Sequence, residues 1–327
     1  MNKKRVYSGI RATGRLHLGN YFGAVKGMLA LQDNYDCIFS VVDLHTITVP
    51  YDSSKLQSSI REIIIDYLAA GLDPKKCHLE IQSKVLGHVE LAYLLSTIYP
   101  VSRLEDLPTY KDKKAQYPKY INMGLLYYPV LMASDVLLYK GELVPVGIDQ
   151  EPHLEVMREI ARKFNSMFGH TFPEPQRFKT DGDYVPSLSG GGKMSKSIVG
   201  SYINLTDDIE TIRTRLALAP TDSGKIGGEV PKEGGVANLF SLLRLFKLDS
   251  QYKKFEQDYM NKNIHYAELK EVLTQGIYKE LKPFQERRKI FEEDSNLVDS
   301  IIEEGRLKCI KIAQETMVEV RKKMGLS

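Results

Sequence analysis

A glycine-rich loop in the middle of the chain carries two lysines at a spacing that suits a phosphate ligand. The run Gly190-Gly191-Gly192-Lys193-Met194-Ser195-Lys196-Ser197 places Lys193 and Lys196 three residues apart and flanks them with hydroxyl groups. Its glycines would allow the loop to close on a triphosphate, where the two ammonium groups neutralise the charge of departing pyrophosphate. A solvent-exposed basic loop would also contain lysines, but it would not require this order of residues.

A second candidate segment follows the first predicted strand. It opens like a phosphate loop, but Arg15-Leu16 stands where a Walker A loop has Lys-Ser/Thr, which excludes a P-loop NTPase. In His17-Leu18-Gly19-Asn20 the first and last side chains can lie on one face of a helix. Gly19 has no Cβ and would let a flat nucleotide base approach the backbone. The N-terminus of the helix would offer N–H groups to phosphates. By itself, this tetrapeptide is better explained by a turn glycine and a polar N-cap.

Asp135 lies at helical spacing among the apolar residues Leu131, Met132, Val136 and Leu138. A carboxylate in such a setting needs a hydrogen-bond donor. A ligand N–H would supply one, and a neighbouring backbone or hydroxyl group is the alternative.

The first half of the chain alternates apolar strands with helix-period segments, and this alternation predicts an α/β fold with a Rossmann-like, doubly wound parallel sheet. Ligands of such sheets bind beyond the carboxyl ends of the strands, where the candidate residues fall. Pro145 suggests that the fourth strand is an edge strand or ends there. The predicted strands are 5–8, 37–42, 78–82 and 143–146, and the predicted helices are 21–33, 54–70, 88–98, 122–139 and one that opens at Glu151-Pro152.

The second half is predicted to be helical. A loop-rich stretch covers 169–200, and strand signals vanish from about residue 206. The predicted domains are a catalytic domain at 1–200 and a smaller all-helical domain at 201–294. The C-terminal helix, 295–327, is expected to pack back on the first domain through a narrow seam of Ile310, Ala313, Met317, Val320 and Met324.

Composition narrows the function class. The 327 residues include 45 Lys+Arg and 42 Asp+Glu, a net charge of +3 that is too small for a protein that coats nucleic acid. Three scattered cysteines suggest neither disulfides nor a zinc or iron–sulfur site, so no protein-bound metal is expected. The N-terminus lacks an apolar signal core and no stretch could span a bilayer, so we expect a cytoplasmic protein without a membrane partner.

Together, the His17–Asn20 segment and the Lys193–Ser197 loop resemble the paired signatures of class I aminoacyl-tRNA synthetases. Over nearly its whole length the chain is similar to the bacterial-type tryptophanyl-tRNA synthetase family. The similarity is carried by Ser8-Gly9-Ile10, 17–20, 42–48, 128–135, 144–150, 153–155 and the lysine loop.

This resemblance implies that tryptophan reacts with Mg-ATP to give tryptophanyl-adenylate, and that tRNA(Trp) then accepts the amino acid. The catalytic residues would be His17, Asn20, Lys113, Lys193 and Lys196. The ATP-binding residues would be Arg11, Ala12, Thr13, Gly19, Asn20, Gly147, Ile148, Asp149, Gln150, Val185, Lys193, Met194, Ser195, Lys196 and Ser197. The tryptophan-binding residues would be Tyr7, Gly9, His45, Met132, Asp135, Val136, Val144 and Val146.

In that family the carboxylate at the position of Asp135 receives the indole N–H. A buried acceptor rejects an analogue without the polar hydrogen by roughly 10⁴- to 10⁵-fold, so phenylalanine should fail. Tyrosine could also donate to Asp135, and its exclusion would depend on the shape of the apolar wall. Two departures are Arg11-Ala12-Thr13, where many members have Gln-Pro-Ser or Arg-Pro-Thr, and Thr109, where many have Gln. Lys113 is preferred over Lys111 as the pyrophosphate ligand, although charge alone predicts a solvated face there.

The resemblance also implies a homodimer and an anticodon-binding role for the helical domain. Two alternatives stay open. A tyrosyl-tRNA synthetase would share the fold and the motifs, and a catalytically inactive paralogue would serve as an RNA-binding regulator.

Overall fold

The computed structural model describes residues 3–179, 184–196 and 198–326. These residues form two compact units that interleave along the sequence. The first unit consists of the described parts of 1–14, 27–180 and 294–327, and the second of those of 15–26 and 181–293.

The units divide the chain differently from the boundary at residue 200 that the sequence suggested. Backbone hydrogen bonds explain the difference, because the Leu18 N–H donates to the Ile203 carbonyl and the Leu205 N–H donates to the Leu16 carbonyl, both at 2.9 Å. The short segment that follows the first strand is therefore tied to the residues that precede the helical region.

The first unit is built on a five-stranded parallel sheet with the strand order β3-β2-β1-β4-β5. Its central strands read as apolar runs because side chains such as Val6, Ile38 and Phe39 are fully buried. The four strands expected from the sequence all form. The strands are β1 Arg5–Ile10, β2 Asp36–Val41, β3 Cys77–Ile81, β4 Leu143–Pro145 and β5 Gln176–Phe178.

The fifth strand lies in the stretch that the sequence suggested to be loop. β5 pairs in parallel with β4, with Leu143 opposite Gln176. The expectation that β4 is an edge strand is therefore wrong, whereas Pro145 does end it.

Helices pack against this sheet, among them one on each of β1, β2 and β3, and helices also make up most of the second unit. The helix expected at 21–33 is shorter, because it passes through a π-helical turn at Tyr21–Val25 and ends at Leu29. The helices are α1 Leu18–Asn20, α2 Lys26–Leu29, α3 Asp43–Thr46, α4 Ser53–Ala70, α5 Gly87–Ser96, α6 Val101–Glu105, α7 Pro108–Gln116, α8 Met123–Leu137, α9 Glu151–Phe168, α10 Ile209–Ala217, α11 Gly234–Leu245, α12 Asp249–Met260, α13 Tyr266–Glu293 and α14 Ser295–Lys323.

Local sequence fixes the ends of the long helices. The Asp52 side chain accepts from the Ser54 N–H at 3.0 Å and caps α4, and Gly71 ends that helix in a left-handed conformation, with φ 111°. Pro152 stands in the first turn of α9, where its missing N–H costs nothing.

The C-terminal helix α14 belongs to the first unit and packs on β3. Its buried face includes Gly305, Cys309, Ala313, Met317 and Val320. At Gly305 the contact is so close that an added Cβ would lie 1.9 Å from the Leu79 carbonyl oxygen.

The second unit has a core of its own. Leu216 of α10, Phe255 of α12, and Leu273 and Ile277 of α13 are almost completely buried. No helix among the described residues is long and apolar enough to cross a membrane.

Candidate active site

A cavity of about 380 Å³ opens in the first unit beside the carboxyl ends of β1, β2 and β4. Its volume falls within the roughly 300–1,000 Å³ of small-molecule sites. It is lined by Tyr7, Ser8, Gly9, Arg11, Val42, His45, Thr48, Thr109, Lys113, Tyr128, Met132, Asp135, Val136, Val144, Val146, Gln150 and His153.

The cavity brings together every residue that the sequence suggested for tryptophan. Three residues expected at the ATP, Arg11, Lys113 and Gln150, line it as well. The tryptophan candidates that line it are Tyr7, Gly9, His45, Met132, Asp135, Val136, Val144 and Val146.

Asp135 forms part of the cavity wall and is 2% exposed. Its Oδ1 lies 2.7 Å from Gln82 Nε2 and 2.7 Å from His88 Nδ1, and its Oδ2 lies 2.8 Å from His45 Nε2. Of the two sources of a donor that the sequence left open, a ligand and the protein itself, the protein supplies donors, because three side chains of the first unit bind the carboxylate. Burial alone would raise the pKa of Asp135, but the hydrogen bonds from His45 and His88 outweigh burial and lower it.

These three contacts still leave room for a ligand. An ionised carboxylate has about four acceptor positions. Two partners share Oδ1 and one binds Oδ2, so these contacts use three of the four positions and leave one on Oδ2 for a further donor. Gln82 is held in the donating orientation because its Oε1 accepts from the Leu44 N–H at 3.0 Å.

Sequence reasoning missed the two ionisable residues behind Asp135. His88, on α5, is completely buried, and its Nε2 lies 3.2 Å from Oε1 of Glu80, on β3. Tyr7 donates its hydroxyl to Glu80 at 3.4 Å, and the Tyr139 hydroxyl also donates to Glu80. An acidic residue in an apolar strand was the signal that could have pointed to this cluster.

A second polar group, also missed, lines the cavity. The Tyr128 hydroxyl donates to Thr109 Oγ1 at 2.8 Å and lies 2.8 Å from His153 Nε2. Burial, and to a lesser extent the positive charge of Lys113, lower the pKa of His153 to about 4. The imidazole is therefore neutral near pH 7. Its buried Nδ1 has no hydrogen-bond partner among the described residues.

Lys113 is half-buried, so the solvated face that charge alone predicted is wrong for this residue and correct for the exposed Lys111. The Lys113 ammonium stands 4.6 Å from the centroid of the Tyr128 ring. Burial, and then the charge of Arg11, lowers the pKa of Lys113 to about 8.

The segment after β4 holds the residues suggested for the ribose. Gly147, Ile148 and Asp149 are exposed, and Gln150 Nε2 donates to Asp149 Oδ2 at 2.8 Å. A Cβ at Gly147 would lie 2.4 Å from Asp149 Oδ1, so only glycine lets the carboxylate fold over the backbone here.

His17 and Asn20 lie in the second unit, where they form a capping box at the start of α1. His17 Nδ1 accepts from the Gly19 N–H at 3.0 Å, and Asn20 Oδ1 accepts from the His17 N–H at 3.3 Å. The N–H groups of Leu18 and Gly19 are therefore used within the protein and do not await a phosphate, contrary to the expectation.

The charges around His17 favour a neutral imidazole that can donate a hydrogen bond to a ligand. Burial first, and then the charges of Lys196 and Lys193, lowers the pKa of His17 to about 4. A neutral imidazole whose Nδ1 accepts a hydrogen bond carries its proton on Nε2. His17 Nε2–H can therefore donate to an anionic ligand.

The lysine loop also lies in the second unit and is folded on itself. The Met194 N–H donates to the Val185 carbonyl at 2.9 Å, and the Ser187 N–H donates to the Gly192 carbonyl at 3.0 Å. Gly192 has a φ of 70°, which favours glycine. The Lys196 ammonium donates to the Arg15 carbonyl.

The remaining ATP candidates are spread over both units. In the first unit the buried Ala12 N–H donates to Thr46 Oγ1 at 2.9 Å, and Thr13 follows it. In the second unit Ser195 N–H lies 3.4 Å from Ser201 Oγ. Ser197 lies outside the described residues.

No metal centre is evident in the part of the chain that the structure describes. In that part no group of three or more His, Cys, Asp and Glu residues could hold a metal ion, and Cys37, Cys77 and Cys309 are buried free thiols.

The sequence and the fold of this chain are similar to those of known proteins. Residues 1–282 match the family model for class I tRNA synthetases of tryptophan and tyrosine. The tryptophan–tRNA ligase of Porphyromonas gingivalis is 39% identical over 98% of both chains, and that of Helicobacter pylori is 40% identical over 100% of both. The crystal structure of the Campylobacter jejuni tryptophanyl-tRNA synthetase complexed with ADP and tryptophan has a TM-score of 0.87 at 32% identity, and covers 98% of this chain and 100% of that one. The chain therefore belongs to the class I tRNA synthetases, and within them to the tryptophan–tRNA ligases.

Proposed function

We propose that this chain activates L-tryptophan with ATP to tryptophanyl-adenylate and transfers the amino acid to tRNA(Trp), releasing pyrophosphate and then AMP. The observation that carries the proposal is the open acceptor position of Asp135 inside a largely apolar cavity, which suits one indole N–H. Phenylalanine would leave this acceptor without a partner, which explains why it should be rejected.

The reaction depends mainly on the positions of the two substrates and on stabilisation of the charge that develops. A carboxylate oxygen of tryptophan attacks the α-phosphorus, the bond to the α,β-bridging oxygen breaks, and pyrophosphate leaves with the electron pair. The nucleophile is already ionised, so no general base is needed. Mg²⁺ enters with ATP as part of the substrate. A terminal ribose hydroxyl of the tRNA then attacks the acyl carbon, and AMP departs.

Each unit supplies groups suited to this reaction. In the first unit Lys113 and Arg11 bring positive charge to the cavity, and Asp149 offers a carboxylate to ribose hydroxyls. In the second unit Lys193 and Lys196 would neutralise the leaving pyrophosphate, with His17 donating from Nε2.

Binding of tRNA and dimerisation complete the proposal, together with the cytoplasmic location expected from the sequence. Helices α10 to α13 form a separate core and would bind the anticodon. A homodimer is supported by an apolar stripe on α5, formed by Val89 and Tyr93 together with Leu86, the residue just before the helix; all three are exposed.

The deciding experiment is amino-acid-dependent exchange of pyrophosphate into ATP. We expect exchange with tryptophan, much weaker exchange with tyrosine and none with phenylalanine. A preference for tyrosine would overturn the proposal in favour of a tyrosyl-tRNA synthetase, and background exchange with all three would favour a catalytically inactive RNA-binding protein.

The chain itself offers an independent measurement, because its sequence has 19 tyrosines and no tryptophan. Excitation beyond tyrosine absorption would report only added tryptophan. Binding in the cavity should change the emission and raise the anisotropy of that tryptophan, and the D135N variant should lessen both effects.

A further inference from the structure

A buried pair, Glu80 and His88, stands behind Asp135. Glu80 is 1% exposed and His88 is fully buried, and among the described residues neither lines the cavity. Both belong to the first unit, on β3 and α5. Burying two such groups is unfavourable unless they are paired and hydrogen-bonded, so their place next to the Asp135 carboxylate of the cavity wall calls for an explanation.

The hydrogen-bond pattern fixes the protonation of His88. Glu80 accepts from the hydroxyls of Tyr7 and Tyr139, so an ionised Glu80 takes the hydrogen in its contact with His88 from Nε2, which also lies 3.2 Å from the Tyr139 hydroxyl oxygen. Asp135 accepts from Gln82 through the same Oδ1 that faces His88 Nδ1, so Nδ1 must also donate. An imidazole that donates from both nitrogens is an imidazolium.

The surrounding charges agree with this geometry. Burial alone would lower the pKa of His88, but the charge of Glu80 and the hydrogen bonds to Asp135 and Glu80 raise it to about 10. The titratable groups around His88 come from five elements: Glu80 of β3, Asp135 of α8 and Tyr139 just after it, Tyr7 of β1, Cys309 of α14, and His45 of α3 on the far side of Asp135.

We propose that Glu80 and His88 are positioning residues that select for the indole N–H: Glu80 keeps His88 an imidazolium, and His88 in turn holds Asp135 ionised, with one acceptor position turned to the cavity. The inference rests on the proposed function. Without Glu80, His88 would lose a proton more readily. A neutral His88 would keep its Nδ1–H towards Asp135 but lose its positive charge, so it would hold the carboxylate ionised less strongly and weaken the acceptor.

The test measures tryptophan as the substrate of pyrophosphate exchange and, as a competitive inhibitor of that exchange, its analogue in which sulfur replaces the indole N–H, β-(3-benzothienyl)alanine. The variants are E80Q and H88N. We expect each to raise KM for tryptophan roughly tenfold, the effect of one charge-assisted hydrogen bond, with kcat within about twofold. The inhibition constant of the sulfur analogue should stay the same, so the preference for binding tryptophan shrinks.

The dependence of KM on pH distinguishes a positioning role of Glu80 from a merely structural one. The wild type should show a constant KM for tryptophan between about pH 6.5 and 9, because His88 stays charged below its pKa of about 10. In E80Q, His88 should titrate within that range, so KM should rise with pH.

The matched control is E159Q. Glu159 also accepts from a tyrosine and a cation, Tyr99 Oη at 2.6 Å and Arg103, but it lies outside the cavity. E159Q should behave as the wild type. Equal losses for tryptophan and the sulfur analogue, or a KM in E80Q that does not change with pH, would overturn the inference.

A wild-type enzyme that does not activate tryptophan would instead refute the proposed function. If E80Q does not fold, Y139F removes one hydroxyl from Glu80 and keeps both charges. This variant should raise KM for tryptophan by about two- to fivefold and leave the analogue unaffected. An equal effect on tryptophan and the analogue would again count against the inference.

Discussion

At the scale of single residues, the side chains around Asp135 determine what the cavity can accept. Two partners occupy Oδ1 and one occupies Oδ2, which leaves a single acceptor position for a ligand. Replacing Asp135 with asparagine keeps the size but removes the charge and one acceptor oxygen. A hydrogen bond to a charged group contributes about 1.5–3 kcal/mol, so D135N should lower kcat/KM for tryptophan roughly 10- to 150-fold in pyrophosphate exchange.

The control for this variant is D299N, at an exposed aspartate on α14 that pairs with Arg61. It should leave the exchange rate unchanged. If D135N kept wild-type kcat/KM for tryptophan, Asp135 could not be the acceptor of the indole N–H.

Lys113 gives a prediction about pH. Its lowered pKa of about 8 means that the ammonium is charged below pH 8 and neutral above it. If the charge binds the phosphates of ATP, kcat/KM for ATP should fall as pH rises through 8, since this parameter reports the free enzyme. K113R keeps its charge at high pH and should flatten that decline, when the rate of exchange is followed from pH 7 to 9.5.

The neighbouring Lys111 provides the control, because it is exposed and lies 3.4 Å from Asp106. K111R should retain the wild-type pH profile. A K113R profile that coincides with the wild type would assign the decline to another group.

Single residues also show which parts of the candidate site could be predicted from the sequence and which could not. Asp135 could be found because a carboxylate among apolar residues at helical spacing stands out in the sequence. Glu80 and His88 could not be assigned, because they stand on a strand and a helix and meet only through the packing of α5 and α8 beside the sheet. The donors to Asp135 were missed for the same reason, since His45, Gln82 and His88 come from three separate segments.

At the scale of elements, the contact between α14 and β3 is tested by Gly305. Alanine usually stabilises a helix interior relative to glycine by about 0.5–1 kcal/mol. Here the added Cβ would lie 1.9 Å from the Leu79 carbonyl oxygen, a backbone atom of the edge strand β3. The helix would have to move away, so G305A should destabilise the protein by about 1–3 kcal/mol. Differential scanning calorimetry would detect this as a lower melting temperature.

Gly276 in α13 is the matched control. A Cβ there would meet the methyl group of Leu248 at 2.7 Å, and a side-chain methyl can rotate away. G276A should therefore leave the melting temperature nearly unchanged or raise it. Equal melting temperatures for G305A and the wild type would show that α14 can separate from β3 without cost.

Most of the strands and helices could be predicted from the sequence, but the strand β5 could not. Runs such as 37–42 are apolar because both faces of the central strands are buried, and this pattern is visible in the sequence. β5 consists of only Gln176, Arg177 and Phe178 and carries no such pattern. Its pairing with β4 is determined by the chain path after α9, which periodicity does not reveal.

At the scale of the whole molecule, the chain passes between the two compact units more than once. Composition and periodicity follow the sequence in order, so they suggested a first boundary at residue 200 and a second at residue 294, and gave no sign of a crossing near residue 15. The attachment of 15–26 to the second unit depends on backbone hydrogen bonds between residues almost two hundred positions apart, such as Leu18 with Ile203. No local pattern carries that information.

The exposed stripe on α5 supports the proposed dimer at this scale. Leu86, Val89 and Tyr93 recur at helical spacing, and Val101 at the start of α6 is also exposed. A contiguous apolar surface is unfavourable in water and is typical of a surface that another protein covers. A second copy of the chain would bury the stripe against itself in a two-fold interface.

Charged substitutions on this stripe should therefore separate the subunits. V89E with Y93E would place two carboxylates of each subunit in the interface, where burial is costly. We expect the wild type to sediment as a dimer in analytical ultracentrifugation and the double variant as a monomer. L307E introduces the same charge at an exposed leucine of α14 and should leave the dimer intact. A double variant that remains dimeric would show that α5 lies outside the interface, and a monomeric wild type would contradict the dimer itself.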